Sequence, residues 1–360
     1  MHDKERGGNE SMKLMKKVAG VALSFSLVAG VLAGCGEKKE ELNIYSWADN
    51  FDEQVIKDFE KKYNVKVNYD KYASNEEMLA KLQAGGANYD LIQPSDYMVK
   101  TMAKMDLLEP LDKNNIPNVK NLVSNFKTPA FDPENKYSLV YTWGVTGIAY
   151  NKKYVKEAPT SWSDLWNEKY KGHVTLLNDS REVLGMGLKK NGFSNSTKDD
   201  AQLKTAATDL QKLLPNLLAF DTDNIKQKFI TEDAWIGTVW SGDAAFIAKD
   251  NKDVGYVVPK EGGTIWADTL AIPKGAKHKE LAEKFMNYLM DEKVSVKNYE
   301  SIGYSNPNEK AWELHSKEYR DNKMIFLSPE ELNRTEWLVD VDDKLKEYDR
   351  YWTELKTKGK

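Results

Sequence analysis

The sequence has a single cysteine in 360 residues, Cys35. No internal disulfide and no cysteine-built metal centre can form from it. Histidine is nearly as scarce. His2, His173, His278 and His315 lie far apart, with no spacing that suits a metal ion. Nucleophile and phosphate-binding signatures are missing as well: neither a G-x-S-x-G elbow nor a Walker loop occurs. Neither sign of charge dominates. Lys and Arg total 52 against 56 Asp and Glu, a formal net charge of −4. The first 34 residues hold five basic and three acidic groups, which leaves −6 on the chain from Cys35 onward. That balance argues against a nucleic-acid partner. There is no internal repeat.

Residues 1–34 read as a signal segment. Lys13, Lys16 and Lys17 precede a mostly apolar run, 18–32, broken by Ser24 and Ser26 and too short to span a bilayer comfortably. It ends Leu32-Ala33-Gly34-Cys35, which resembles the bacterial lipobox, whose cysteine becomes lipid-modified. Residues 1–11 look like extra sequence before a start at Met12. The expectation is a lipoprotein held to the membrane through Cys35, at the cell surface or in the periplasm, with residues 35–41 as a polar tether. An ordinary secretory signal with a chance cysteine is the alternative.

The remaining length suits two lobes. Strand-like alternation at 42–46 is followed by a helix at 52–63, a strand at 65–69, a helix from Ser74 closed by Gly85-Gly86, a strand at 89–93 and a helix at 96–105. Strands alternating with helices across short links imply a mostly parallel, helix-covered sheet, an α/β fold. A long β-like run at 137–150 leaves this first lobe. The second is read as a helix start at 161–166, a strand at 173–177, helices at 181–191, 198–214 and 224–229, a strand at 234–240, a helix at 242–249 and a strand at 254–258. A β-like return at 269–272, a helix at 278–290, a turn at 302–308 and one or two helices over 330–356 complete the reading.

In such sheets ligands sit beyond the carboxyl ends of the strands. Trp266 and Asp268, two apart in an extended stretch, face one side. Trp240 and Asp243 end another strand. Asp179 and Glu182 stand where a helix begins. Trp47 with Asp49, and Ser95 with Tyr97, occupy two strand-to-helix turns. An indole face attracts cations and a carboxylate pairs with them, so the recurring combination suits a small organic cation. The ordinary alternatives are plain. A lone Trp is more often core, and Asp179 with Glu182 could simply cap a helix. Two further functions compete: a sugar binder using Trp platforms, and a glycosidase using Asp179 and Asp268 as its acids.

The chain from about residue 42 to 356 resembles the spermidine/putrescine-binding proteins of bacterial ABC importers, in the periplasmic-binding-protein superfamily. The matching pieces are Ser74-Asn75-Glu76, Tyr89-Asp90-Leu91, Pro94-Ser95, Asp179-Ser180-Arg181-Glu182-Val183, Pro259-Lys260-Glu261-Gly262-Gly263, Trp266-Ala267-Asp268 and Ile302-Gly303-Tyr304-Ser305-Asn306-Pro307-Asn308. The resemblance implies a two-lobed fold, with 42–143 and 268–311 in one lobe and 144–267 and 312–360 in the other, joined by crossover hinge segments. It implies a monomer without cofactor or metal that binds putrescine or spermidine and delivers it to an ABC permease. The implied contacts are Trp47, Tyr97, Asp179, Glu182, Trp240, Trp266, Asp268 and Tyr304. Asp243 matches an aspartate of putrescine-preferring members; it and Asp49 lean towards putrescine. Ala48 stands where Ser or Thr is usual, Asn50 where Tyr is common, and Leu338 where spermidine binders carry Gln.

Overall fold

The helices begin where short polar side chains can satisfy free backbone N–H groups. A computed structural model, which describes residues 39–85 and 88–359, shows this at several starts. Asp52 accepts from Val55 N at 2.9 Å to open α1 (Glu53–Tyr63), and Ser74 accepts from Glu77 N at 3.2 Å to open α2 (Asn75–Gln83). Such caps contribute about 1 kcal/mol each. Further helices are α3 (Asp96–Lys104), α4 (Ser180–Lys190), α5 (Asp200–Gln211), α6 (Ile225–Ile230), α7 (Ser241–Asp250), α8 (Lys279–Leu289), α9 (Glu292–Ile302) and α10 (Leu345–Lys358). The signal segment, Cys35, most of the tether and Gly86 lie outside the described residues. The first strand begins at Glu41, one residue inside the stretch expected to be a tether.

The strands are β1 (Glu41–Trp47), β2 (Lys66–Tyr72), β3 (Leu91–Ile92), β4 (Ser138–Asn151), β5 (Val174–Leu176), β6 (Leu217–Phe220), β7 (Ile236–Trp240), β8 (Val254–Val257), β9 (Thr264–Ala271) and β10 (Glu336–Trp337). They form one mixed sheet in the order β2-β1-β3-β9-β4-β7-β5-β6, with β8 paired to β4 and β10 to β9. The two ends are parallel, as strand–helix alternation requires: β1 pairs parallel with β2 and β3, and β5 with β6 and β7. The middle is antiparallel, β4 lying against β9 on one side and β7 on the other. Each end has its own apolar core. Ile44, Phe59, Phe285 and Met286 pack at one, and Trp162, Leu176, Leu184 and Tyr348 at the other.

The register of β4 aligns the site. Thr142 pairs with Asp268, Gly144 with Trp266, and Thr146 with Trp240. Gly144 is required by close packing: a Cβ there would stand 2.6 Å from Ser241 Oγ and 2.9 Å from the Trp266 ring.

Several expectations are corrected. The stretch 330–356 holds two helices, as one of the expected alternatives had it, but a strand parts them. A short helix, Pro329–Asn333, gives way to β10, whose Glu336 N donates to Gly263 O at 3.1 Å, and only then does α10 begin. The helix expected at 161–166 is a single 3₁₀ turn. The expected helix 198–214 stops at Gln211, after which 217–220 forms β6. Helix α9 was not anticipated, and the returning strand begins at Thr264 rather than 269.

Gly242 carries a test of this packing. The Tyr304 ring rests on it so closely that an added Cβ would sit 2.3 Å from a ring carbon. Gly242→Ala is expected to destabilise the protein by about 1–3 kcal/mol, the usual cost of overpacking. A urea midpoint unchanged at equal slope would show that the ring moves aside freely.

Candidate functional site

The carboxyl ends of β1 and β7, the middle of β9 and the starts of α3 and α4 converge on one narrow cavity. Its lining is Trp47, Asn75, Ser95, Tyr97, Asp179, Glu182, Trp240, Trp266, Asp268 and Leu338. Trp240 stands edge-on to Trp47 at 5.5 Å and to Trp266 at 6.2 Å, so three indoles frame the space. Strand alternation explains why Trp266 and Asp268 reach it together.

Each carboxylate is held from behind. Ser95, at the cap position of α3, makes no cap bond. Its hydroxyl donates to Asp268 Oδ1 at 2.6 Å and accepts from Asn75 Nδ2 at 2.9 Å. Thr142 makes a longer contact, 3.5 Å, with Asp268 Oδ2. Asp179 caps α4, its Oδ1 accepting from Arg181 N and Glu182 N at 2.9 and 3.0 Å. Glu182 Oε1 accepts from Thr146 Oγ1 at 2.8 Å and Trp240 Nε1 at 3.2 Å, while Oε2 is buried without a donor. The capping reading of Asp179 is therefore correct, and the residue lines the cavity as well.

No lysine or arginine is among the lining residues. Arg181, next to Glu182 in sequence and 1% exposed, has its guanidinium 4.9 Å from the ring centres of both Tyr97 and Tyr348. It donates to Ser196 Oγ and the Val339 carbonyl. Burial, reinforced by the neighbouring Asp179 charge, pushes Glu182 up to about 8. Burial pushes Asp268 up to about 7 against the hydrogen bonds it accepts, and it raises Asp179 as well. Behind Tyr97, whose hydroxyl donates to Glu76 Oε1 at 3.1 Å, burial lifts Glu76 to about 8. These are carboxyl groups lacking the positive charge that would keep them ionised.

Three of the sequence-derived residues do not line the cavity. Asp49 follows the end of β1 with a left-handed φ of 56°, which breaks the strand alternation that would have aimed it with Trp47. It pairs with Lys226 at 3.0 Å and with Lys71 at 3.4 Å. Asp243 is buried one helical turn into α7, accepting from Tyr304 Oη at 2.9 Å. Tyr304 backs Trp266 edge-on at 5.6 Å. Asn75 and Leu338 line the cavity without having been singled out as site residues. Asn75 lay within a recognised motif, and Leu338 was the position where spermidine binders carry Gln; the pairing of β10 with β9 brings it to the lining.

An interior acidic and aromatic cavity between the two ends of a mixed α/β sheet is the architecture of a solute-binding protein. The model of the bacterial extracellular solute-binding protein family matches residues 54–326, and the chain belongs to that family. Its similarity runs to the members named for spermidine and putrescine. It is 37% identical over 334 residues to the spermidine/putrescine-binding periplasmic protein of Escherichia coli, covering 92% of this chain and 96% of that one. The solved structure of the spermidine/putrescine ABC transporter substrate-binding protein PotD from Streptococcus pneumoniae, in complex with calcium and HEPES, is 36% identical. It superposes with a TM-score of 0.73 over 89% of this chain and 100% of that one. The PotD lipoprotein of Treponema pallidum is 30% identical, with a TM-score of 0.76 over 88% and 99% of the two chains. Among the described residues no helix is long and apolar enough to cross a membrane.

The raised carboxyl groups predict a pH dependence of stability. In the unfolded chain Asp and Glu release their protons near pH 4. In the folded, cation-free protein Glu182 keeps its proton to about pH 8. The native state thus binds more protons between those values, and stability falls as pH rises through that window. Urea midpoints from about pH 5 to pH 8 should decline, and Glu182→Gln should flatten the decline. An identical slope in the variant would show that Glu182 ionises normally.

Proposed function

We propose that this chain is an extracytoplasmic polyamine-binding protein that takes putrescine or spermidine and presents it to an ABC permease, performing no chemistry itself. The observation that carries the reading is the cavity: three indoles framing it, and Asp179, Glu182 and Asp268 with no cation among the lining side chains. A polyamine supplies what is missing. Its methylenes lie against the rings, with cation–π contacts worth roughly 0.5–2 kcal/mol each. Its ammonium groups neutralise carboxylates that would otherwise be costly to bury ionised. The relatives' names point the same way.

A sugar would need free amide and hydroxyl partners. The one lining amide, Asn75, spends both of its polar atoms on Ser95, donating to Oγ and accepting from the backbone N–H at 3.0 Å. A glycosidase needs one protonated acid and one ionised carboxylate. Burial drives Asp179 and Asp268 in the same direction.

Closure is the signal in this reading. Residues 42–143 with 268–311, and 144–267 with 312–360, act as two lobes that swing together on the ligand. The protein works as a monomer held to the membrane through lipid on Cys35; the similar Treponema pallidum protein is named as a lipoprotein.

Calorimetric titration with putrescine and spermidine, using maltose as control, tests the reading. Binding of either polyamine and not of the sugar is expected. A melting temperature indifferent to millimolar polyamine would overturn it, since a ligand at one hundred times its Kd stabilises by about 2.7 kcal/mol. Asp268→Asn should cost about 2–5 kcal/mol of binding, the penalty for unpairing a buried ammonium. A loss under about 0.5 kcal/mol would remove Asp268 from direct contact. Because Glu182 and Asp268 must shed protons to pair with ammonium, affinity should fall as pH drops from about 8 to about 6. Titrations in two buffers of different ionisation enthalpy should report net proton release at pH 7; none would mean that the carboxylates are already ionised.

A further inference from the structure

The acidic groups around the cavity fall into two sets. The inner set, Asp179, Glu182 and Asp268, faces the empty space with no lysine beside it. The outer set, Asp49 and Asp243, already holds an ammonium. Lys226 reaches from α6 to place Nζ 3.0 Å from Asp49 Oδ2 and 3.6 Å from Asp243 Oδ1, and its charge lies 5.5 Å from the Phe246 ring. Two carboxylates and an aromatic ring around one ammonium is the environment a ligand amine would seek. The occupant here belongs to the protein.

This outer set adjoins the cavity by a short chain of contacts. Trp266, in the cavity wall, packs edge-on against Tyr304; Tyr304 Oη donates to Asp243; Asp243 meets Lys226. On its far side Lys226 lines an outer cleft together with Asp49 and Phe246. Its side chain is itself mostly buried, 16% exposed, so the ammonium is a built part of the wall.

The charges answer one another accordingly. Burial works against the Lys226 charge, but Asp243 and Asp49 outweigh it and hold the lysine above its usual range. Burial likewise opposes ionisation of Asp49, yet Lys226 and Lys71 keep that carboxyl below the ordinary carboxylate range. The inner carboxyls shift the opposite way. The outer pair is satisfied; the inner group is not.

We propose that Lys226 is a tethered ammonium that occupies the carboxylate pair next to the cavity and so restricts the ligand to short diamines. The assignment rests on the polyamine reading above. A triamine brings a further ammonium along its stem, and at the outer end it meets a resident cation in place of a free carboxylate pair. Selectivity here comes from a repulsive element as much as from attraction.

The test is calorimetry of putrescine and spermidine against the unsubstituted protein and Lys226→Met, which keeps side-chain length and removes the charge. The ratio of spermidine to putrescine affinity should rise in the variant by roughly tenfold to hundredfold, the worth of one charge-assisted hydrogen bond. Lys226→Arg, which restores the cation, should return the ratio towards that of the unsubstituted protein. Where Lys226→Met folds poorly, Lys226→Gln serves, keeping a donor for the carboxylates without the charge. A ratio unchanged within about threefold, including an equal loss for both ligands, would make Lys226 an ordinary structural ion pair and overturn the assignment. Failure of both polyamines to bind the unsubstituted protein would instead be failure of the polyamine reading itself.

Discussion

Carboxyl groups buried without a counter-cation are the constraint on which this molecule's organisation depends. An ionised carboxylate in a low-dielectric interior is costly unless paired and hydrogen-bonded. The fold spends much of its local polar structure on making that arrangement tolerable. Ser95 gives up its own helix cap to hold Asp268, Thr146 and the Trp240 indole hold Glu182, and the first turn of α4 holds Asp179. What remains unmet at the lining is positive charge, one acceptor, Glu182 Oε2, and two indole donors, Trp47 Nε1 and Trp266 Nε1.

The aromatic frame follows from the same geometry. Strand β4 runs through the centre of the sheet, and its pairing with β9 and β7 sets Trp266 and Trp240 beside one another. Gly144 and Gly242 leave room for the rings of Trp266 and Tyr304. The indoles therefore serve as packing and as platform together. A tryptophan is wide enough to be core on one face and ligand wall on the other, so the reading of these residues as ordinary core and their reading as site walls do not compete.

Charge pairing divides the acids into those that await a cation and those that have one. Arg181, stacked between Tyr97 and Tyr348, offsets part of the negative potential without reaching the lining. Lys226 does the same for Asp49 and Asp243. The carboxylates left without such a partner are the three that line the cavity, Asp179, Glu182 and Asp268.

Much of this was legible along the chain. Period and capping located most helices, and the strand–helix alternation implied the parallel ends of the sheet. The i, i+2 spacing placed Trp266 with Asp268, because backbone alternation is a local property. Strand ends pointed Trp47, Ser95, Tyr97, Asp179, Glu182 and Trp240 towards one rim, and the family resemblance implied most of them as contacts; the structure lines one cavity with all six. Tertiary structure alone decided the rest. Whether Asp49 and Asp243 face the cavity depended on a left-handed turn and on a lysine more than 170 residues from Asp49 in sequence. Leu338 entered the lining because β10, two residues long, pairs with β9, which no periodicity in so short a stretch could announce. Local sequence determined which residues could bind or cap; long-range pairing of charge and strand determined which of them were still free to do so.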